Sequence, residues 1–309
     1  MERKKTIAII GLGKMGFRIS ENLLDKEWKL IAYDLDKEIR DRISEKGAFT
    51  VDSLIEVISH LQSPRIIILS VPAGKVIDEI IETLLPSLSK GDIIIDSGNT
   101  FFRDSQKRAD DLKNKGLHFM DVGMSGGVSG ARHGACLMIG GEFEVFKKNE
   151  ELFENLSKNG SYKYLGKSGS GHLVKGYHNL VEYGFLQALA EGLECINGIS
   201  EKNELNINLA DVCKIWDKGS IVESRIISDA VQAFNINPGL EKISGSIYGQ
   251  TQIEMENLVK TGIELNIKVP SCDAALQARL SSQLNPTFTG KIINAIRNVF
   301  GGHQEWKKQ

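Results

Sequence analysis

The sequence predicts an α/β half followed by an all-α half, on three observations. Short apolar, β-branched runs alternate with helical periodicities as far as Leu165. A glycine-rich turn joins the first of those runs to the first helix. From Gly169 onward the strand rhythm stops and only helical patterns remain. The expected architecture is a doubly wound parallel sheet over residues 1–167 and an all-α C-terminal domain over 168–309, with the small residues of Lys167–Gly171 as the boundary.

Thr6–Ile10 shows no polar alternation and reads as a strand buried on both faces. Gly11, Gly13 and Gly16 follow at once, with Leu12, Lys14 and Met15 between them, and helical spacing begins through Ile19, Leu23 and Leu24. Between a buried strand and a helix this spacing has a chemical reason. One glycine makes a tight turn, one lets the backbone approach a pyrophosphate, and one lets helix pack on strand. The anion then lies at the helix N-terminus, among free N–H groups and the positive end of the dipole. Gly11–Gly16 is therefore the expected cofactor loop of a Rossmann-type sheet. The second strand, Lys29–Tyr33, ends at Asp34, 18 residues past Gly16. A carboxylate there hydrogen-bonds the adenosine ribose and repels a 2′-phosphate. No arginine stands directly after it and only Lys37 is near, so NAD is expected rather than NADP.

Helical patterns cover Asp36–Lys46 and Ser53–His60. Arg65–Val71 is a third strand closed by Pro72, Asp92–Asp96 a fourth and Leu117–Asp121 a fifth, with helices at Lys75–Leu85 and Phe101–Lys115. Ligands of such a sheet sit at the carboxyl ends of strands. Val71 and Pro72, the stretch Asp96–Asn99, and Asp121 through Ser125, Gly126 and Gly127 are thus expected to form a binding rim. Cys136–Gly141 is a further short strand, Glu142–Lys158 one helix and Tyr162–Leu165 the last strand.

The second half opens on a long helix from Leu173 to about Ile196. Near its start, Lys175, His178, Asn179 and Glu182 fall in one stripe at about 100° per residue, with Lys175 and Glu182 roughly 10 Å apart along the axis. Such a stripe is either a solvated polar face with i,i+3 or i,i+4 pairing or a catalytic constellation, and taken alone it leaves both open. Further helices are expected at Leu209–Trp216, Ile221–Phe234, Ile253–Leu265, Asp273–Ser281 and Gly290–Val299, with turns at Asn237–Gly239 and Asn285–Pro286.

Composition excludes several classes. A 309-residue chain with 41% hydrophobic and 25% charged residues is expected to be globular and soluble. A net charge of −2 supplies no attraction for nucleic acid or an anionic membrane. No apolar run reaches membrane-spanning length, and Met1–Lys5 runs straight into a strand, so a cytoplasmic protein is expected. Cys136, Cys195, Cys213 and Cys272 are scattered, which argues against a disulfide framework or a zinc site, and no metal is expected.

With these residues in view, the chain resembles the 6-phosphogluconate dehydrogenases. The likeness runs through Asp121-Val-Gly-x-Ser125-Gly126-Gly127, Gly130-Ala-Arg132, Leu137-Met-x-Gly140-Gly141 and Gly171-His-x-Val-Lys175-x-x-His178-Asn179-x-x-Glu182-Tyr183-Gly184. Met15 and Asp96-Ser-Gly-Asn99 fit the same family, and the length is that of its short form, without a duplicated helical repeat. The wider β-hydroxyacid dehydrogenases share only the Lys and Asn of the Lys-x-x-His-Asn string. The resemblance implies oxidative decarboxylation of 6-phosphogluconate to ribulose 5-phosphate and CO2, with reduction of NAD. It implies that Lys175 takes the C3 hydroxyl proton and that Glu182 protonates C1 of the enediol. Substrate contacts follow for Asn99, Ser125, Gly126, Gly127, His178, Asn179 and Tyr183, with Asn99 also between cofactor and substrate. It further implies a substrate phosphate held by Arg279 and Arg297 with His303, the tail residues coming from a neighbouring subunit, and so a homodimer or larger assembly.

One departure stands out. The family carries Gly-x-Gly-(Lys/Arg)-Trp-Thr ahead of the helix at Ile253–Leu265, whereas Tyr248–Ile253 has neither a basic residue nor a tryptophan. A differently phosphorylated or unphosphorylated aldonate therefore stays open as substrate, as does another β-hydroxyacid dehydrogenase reaction. In another class stands a non-catalytic NAD-binding sensor or scaffold, against which the joint presence of Lys175 and Glu182 counts.

Overall fold

A computed structural model describes residues 5–249 and 251–302. The chain divides into two compact units, residues 1–177 and 178–309.

In the first unit eight strands form one sheet in the order β3-β2-β1-β4-β5-β6-β7-β8. β1 (Thr6–Ile10), β2 (Lys29–Tyr33), β4 (Ile66–Leu69) and β5 (Ile93–Asp96) fall on the expected runs and pair in parallel. Alternate residues of these strands feed two cores. Ile7, Ile9, Leu30 and Ile68 face one, while Ala8, Ile10, Ile67 and Leu69 face the other. Burial on both faces is why the runs lack polar alternation. α1 (Lys14–Leu24), α2 (Lys37–Ser44), α3 (Leu54–Ser59), α4 (Lys75–Leu84) and α5 (Phe102–Lys113) connect them. Asp36 and Ser53 cap α2 and α3, their side chains accepting from the N–H groups of Glu38 and Glu56.

The sheet departs from the expected pattern toward its far edge. β3 (Phe49–Thr50) is a two-residue strand beside β2, too short to leave a pattern. β6 runs from His118 to Ser125, so the strand ends at Ser125 rather than Asp121. β7 (Ala135–Gly140) pairs with β6 antiparallel, Asp121 opposite Gly140 and Ser125 opposite Cys136, so the sheet is parallel except at this pair. The link between them is α6 (Gly127–His133) and its two flanking glycines, less chain than the dozen or so residues a parallel crossover needs. The expected helix Glu142–Lys158 is two, α7 (Phe143–Lys148) and α8 (Glu150–Leu156). They break at Asn149, whose Nδ2 donates to the Val145 carbonyl at 2.7 Å. β8 (Ser157–Gly166) is longer than Tyr162–Leu165 and is a largely exposed edge strand parallel to β7.

α9 (Ser170–Lys202) begins in the first unit and continues into the second. There it is joined by α10 (Leu209–Trp216), α11 (Arg225–Ile236), α12 (Gln252–Glu264), α13 (Pro270–Leu284) and α14 (Phe288–Gly301). Their core gathers Leu186, Ala190 and Leu193 with Cys213, Ile227, Phe234, Ile292 and Ile296. α11 starts at Arg225 rather than Ile221 because Ser224 caps it, accepting from the N–H of Ile227. Pro270 opens α13, where its missing N–H costs nothing.

Candidate active site

The dinucleotide loop is built from backbone. Gly11 turns at φ +92°, a conformation glycine adopts freely. A side chain there would run into the Ser70 carbonyl and lie 2.7 Å from Val71 Cγ1, and one at Gly16 would run into the Gly11 carbonyl. Gly13, the N-cap of α1, has no side chain covering it and faces open space. The first N–H groups of α1 therefore open onto bare backbone that a pyrophosphate can approach. Leu12 is buried, Met15 half-buried and Lys14 exposed. At the end of β2, Asp34 Oδ2 accepts from the Leu12 N–H at 2.6 Å and Oδ1 from the Asp36 N–H at 2.9 Å. Arg40 is occupied elsewhere, donating to the Asp34 carbonyl at 2.7 Å and to Asp52 at 2.8 Å. This set fits a nicotinamide dinucleotide.

The rim lies beyond the neighbouring strands. Val71 (half-buried) and Pro72 (exposed) follow β4, and the exposed Asn99 follows β5. Ser125 ends β6, and Gly126 and Gly127, at φ +123° and +62°, turn the chain into α6. Lys175, 8% exposed, sits where α9 meets β6. A Cβ on Gly123 would run into Lys175 Cβ, one on Gly171 into the carbonyls of Asp121 and Met138, and one on Gly140 into the Asp121 carboxylate. Three glycines thus let the helix rest directly on the backbone of β6 and β7. Asp121, fully buried, anchors it by accepting from the N–H groups of Gly169 at 2.7 Å and His172 at 2.9 Å. These are donors that the helix start leaves without partners. His172 Nδ1 and the Ser105 hydroxyl, 2.7 Å apart, tie the same turn to α5. The sequence placed Asp121 only on the rim. Its signal was an acid opposite a glycine-rich helix start.

Along α9 the second unit carries His178 (half-buried), Asn179 (buried), Glu182 (half-buried) and Tyr183 (buried). They follow Lys175 at helical spacing on α9, which runs unbroken from Ser170 to Lys202. His178 Nδ1 and Asn179 Oδ1 are 3.3 Å apart. Arg279 and Arg297 are 7% and 6% exposed. The Arg279 guanidinium lies 4.1 Å from the centre of the Tyr183 ring, and the Tyr183 hydroxyl pairs with that of Thr251 at 2.8 Å. Both arginines donate through Nη2 to the Tyr248 carbonyl, at 3.3 and 2.8 Å, and Arg297 Nη1 donates to Asn294 Oδ1 at 2.8 Å. A Cβ on Gly249 would run into Arg279 Nη2. Ahead of α12, where the family carries a basic side chain that this sequence lacks, backbone thus lies against a guanidinium. Two guanidiniums converge on this one carbonyl, and a planar fork of that kind is suited to the paired oxygens of an anionic group. Sequence reasoning missed the Tyr248 carbonyl and Thr251, since a backbone acceptor leaves no trace in residue types. His303 lies outside the described residues. Among the described residues no cluster of His, Cys, Asp and Glu could hold a metal ion, and no helix is long and apolar enough to cross a membrane.

A dinucleotide loop on a Rossmann sheet, followed by a helical half, is the build of a nicotinamide-dependent oxidoreductase. Comparison with known proteins narrows that class. Residues 6–166 match the family described as the NAD binding domain of 6-phosphogluconate dehydrogenase, and residues 186–308 match the C-terminal domain of the same enzyme. The chain belongs to the 6-phosphogluconate dehydrogenase family. It is 37% identical over 302 residues to YqeC of Bacillus subtilis, which carries a provisional 6-phosphogluconate dehydrogenase name, covering 98% of this chain and 99% of that one. It is 29% identical over 309 residues to the NAD(+)-dependent, decarboxylating 6-phosphogluconate dehydrogenase of Haloferax volcanii, covering 98% and 99%. Among solved structures, the Plasmodium falciparum 6-phosphogluconate dehydrogenase, studied with NADP+ and with 6-phosphogluconate, matches with a TM-score of 0.75 at 29% identity. That match covers 90% of this chain and 62% of the Plasmodium chain. A Mycobacterium tuberculosis 3-hydroxyisobutyrate dehydrogenase shares the fold, with a TM-score of 0.73 at 18% identity over 94% of this chain and 99% of that one.

Proposed function

We propose that the protein converts 6-phosphogluconate to ribulose 5-phosphate and CO2 with NAD as the oxidant. The observation that carries this reading is the α9 stripe, which holds a buried lysine and, two turns on, a half-buried glutamate. Lys175 takes the proton from the C3 hydroxyl as that carbon becomes a carbonyl. When bound, the dinucleotide accepts the hydride. The β-keto acid then loses its carboxyl group as CO2, and Glu182 returns a proton to C1 of the enediol. Asn99, Ser125, Gly126, Gly127, His178, Asn179 and Tyr183 orient the acid and its hydroxyls. Arg279 and Arg297 hold the distal phosphate, and His303 from a neighbouring copy completes that end in a homo-oligomer. The first unit's residues act on the dinucleotide as described, with Val71, Pro72 and Asn99 toward its nicotinamide end.

NAD is preferred because Asp34 and Asp36 both stand at the tip of β2, where a 2′-phosphate would meet two carboxylates. The related enzymes bear both names, NAD(+) in Haloferax and NADP+ in Plasmodium. A second reading keeps the chemistry and changes the far end of the substrate. It is favoured by Gly249, which puts no basic side chain beside the arginine pair.

The test is formation of reduced dinucleotide with 6-phosphogluconate and with gluconate, using NAD and NADP, with CO2 trapped in parallel. The proposal expects turnover of 6-phosphogluconate, one CO2 per NADH, and a lower KM for NAD. Turnover of gluconate alone selects the second reading. Oxidation without CO2 removes the decarboxylating step.

A further inference from the structure

Arg108, on α5, has no part in the roles above, yet its side chain is only 7% exposed. Its Nε donates to Asp78 Oδ1 at 2.6 Å, and its Nη2 donates to Asp78 Oδ2 at 3.0 Å and to the Gly74 carbonyl at 3.1 Å. Gly74, at φ +100°, ends the loop after β4 and is the N-cap of α4. The remaining nitrogen, Nη1, lies 4.0 Å from Asp96 Oδ2 and is buried with no hydrogen-bond partner among the described residues. Asp96 opens the loop after β5. It is fully buried, and it accepts from the Gly98 N–H at 2.9 Å and the Thr100 hydroxyl at 2.7 Å. One guanidinium therefore holds the loop 71–74 by hydrogen bonds and faces the loop 96–99 by charge.

The two loops have little slack between them. Ser97 donates to the Leu69 carbonyl through its N–H at 3.0 Å and its hydroxyl at 2.8 Å. A Cβ on Gly98 would lie 3.2 Å from the Val71 carbonyl and 3.1 Å from Asp96 Oδ1. Small changes at Gly74 or Asp96 are thus passed to Val71, Pro72 and Asn99. A buried ion pair is weak as a source of stability, because desolvation takes back most of the Coulomb gain. Its use here is geometric. The strand order also says which end of the ligand is concerned. Adenosine belongs at β2 with Asp34 and the pyrophosphate at β1 with Gly13, so the other end of the dinucleotide runs out over β4 and β5.

We propose that Arg108 is a positioning residue for the nicotinamide end of the dinucleotide, setting the loops after β4 and β5 at the height the ring requires. The inference rests on the dinucleotide reading of the first unit, without depending on which sugar acid is oxidised.

The test is calorimetric titration of the full chain and its variants with NADH and with ADP-ribose, which lacks the nicotinamide ring. In Arg108→Met the Kd for NADH is expected to rise roughly tenfold, the scale of one lost charge-assisted hydrogen bond, while that for ADP-ribose stays near the native value. Arg108→Lys keeps the charge without the fork, so it should fall with the methionine variant. Asp78→Ala frees the guanidinium from one side and should show the same split, reduced. If Arg108→Met does not fold, these two variants read the same split. Equal weakening of both ligands would make Arg108 a general prop of the sheet and overturn the proposal, as would no change in either. A native chain that binds neither ligand removes the dinucleotide reading and the inference together. One that binds both, with no split in any variant, removes the inference alone.

Discussion

In the first unit the lysine rests on main chain, and in the second the arginines rest on other side chains together with one loop carbonyl. Lys175 sits over Gly123, with Gly171 and Gly140 completing a contact between main chains. Arg279 lies on the Tyr183 ring, Arg297 bonds Asn294, and both share the Tyr248 carbonyl. Backbone contact tolerates no added atom, whereas long side chains on an aromatic face and a loop carbonyl can readjust. On the proposed function, the difference separates what the chemistry at C1–C3 demands from what the far end of a substrate demands. It also fits the sequence, whose motif strings crowd into 121–141 and 171–184 and thin out at 248–253.

Four experiments break or sharpen this contrast. The largest effect is expected for Gly123→Ala, whose methyl runs into Lys175 Cβ. Here kcat should fall on the order of 100-fold while NADH still binds, and a variant with native turnover would show that the backbone contact is not what places the lysine. Next come Arg279→Met and Arg297→Met. Steady-state kinetics should show KM for 6-phosphogluconate raised about tenfold or more with KM for NAD unchanged, and an effect confined to kcat would put these arginines at the reacting carbons instead.

Acid response should differ between the units as well. Asp92, in the first, is fully buried and accepts from the Arg65 guanidinium at 2.7 Å, the Ser63 hydroxyl at 2.9 Å, and the N–H groups of Arg65 and Ser89 at 2.7 and 2.9 Å. Burial pushes its carboxyl up, but these bonds outweigh that and hold it below the usual carboxylate value. Its contribution is present above the unfolded value of roughly 3.9 and lost as pH falls through the lower folded one. Asp92→Asn should cost about 3 kcal/mol in urea unfolding at neutral pH. The smallest effect is expected for Asp229, in the second unit. Burial, with Asp217 nearby, pushes this carboxyl up, and Arg225 offsets only part of that. A raised carboxylate works in the opposite sense, since its stabilisation is complete at acid pH and lost as pH rises through the folded value. Asp229→Asn should therefore raise the thermal midpoint slightly at neutral pH, with the gain shrinking toward acid. A loss at neutral pH would mean the charged form is the favoured one there.

Strands buried on both faces and the glycine loop were legible because each leaves a local signature in residue type. The antiparallel β7 was not, since apolar runs carry no direction and only the short link through α6 decides it. α6 itself was hidden by Gly126, Gly127 and Gly130, which read as loop because glycine is a poor helix former. At the site, the α9 stripe followed from helical period. Asp121 as a helix anchor and Arg108 between two loops did not, because both depend on partners dozens of residues away.

Lys175 stands on main chain, so its location follows the backbone of β6 rather than any one isoleucine or leucine of the sheet. Conservative exchanges among those residues are expected to alter melting behaviour before they move the lysine. Heat tolerance and turnover become separately adjustable properties of one domain. An engineer who varies the interior of the sheet has one further constraint, that three hydrogen atoms, at Gly123, Gly140 and Gly171, are never replaced by methyl groups.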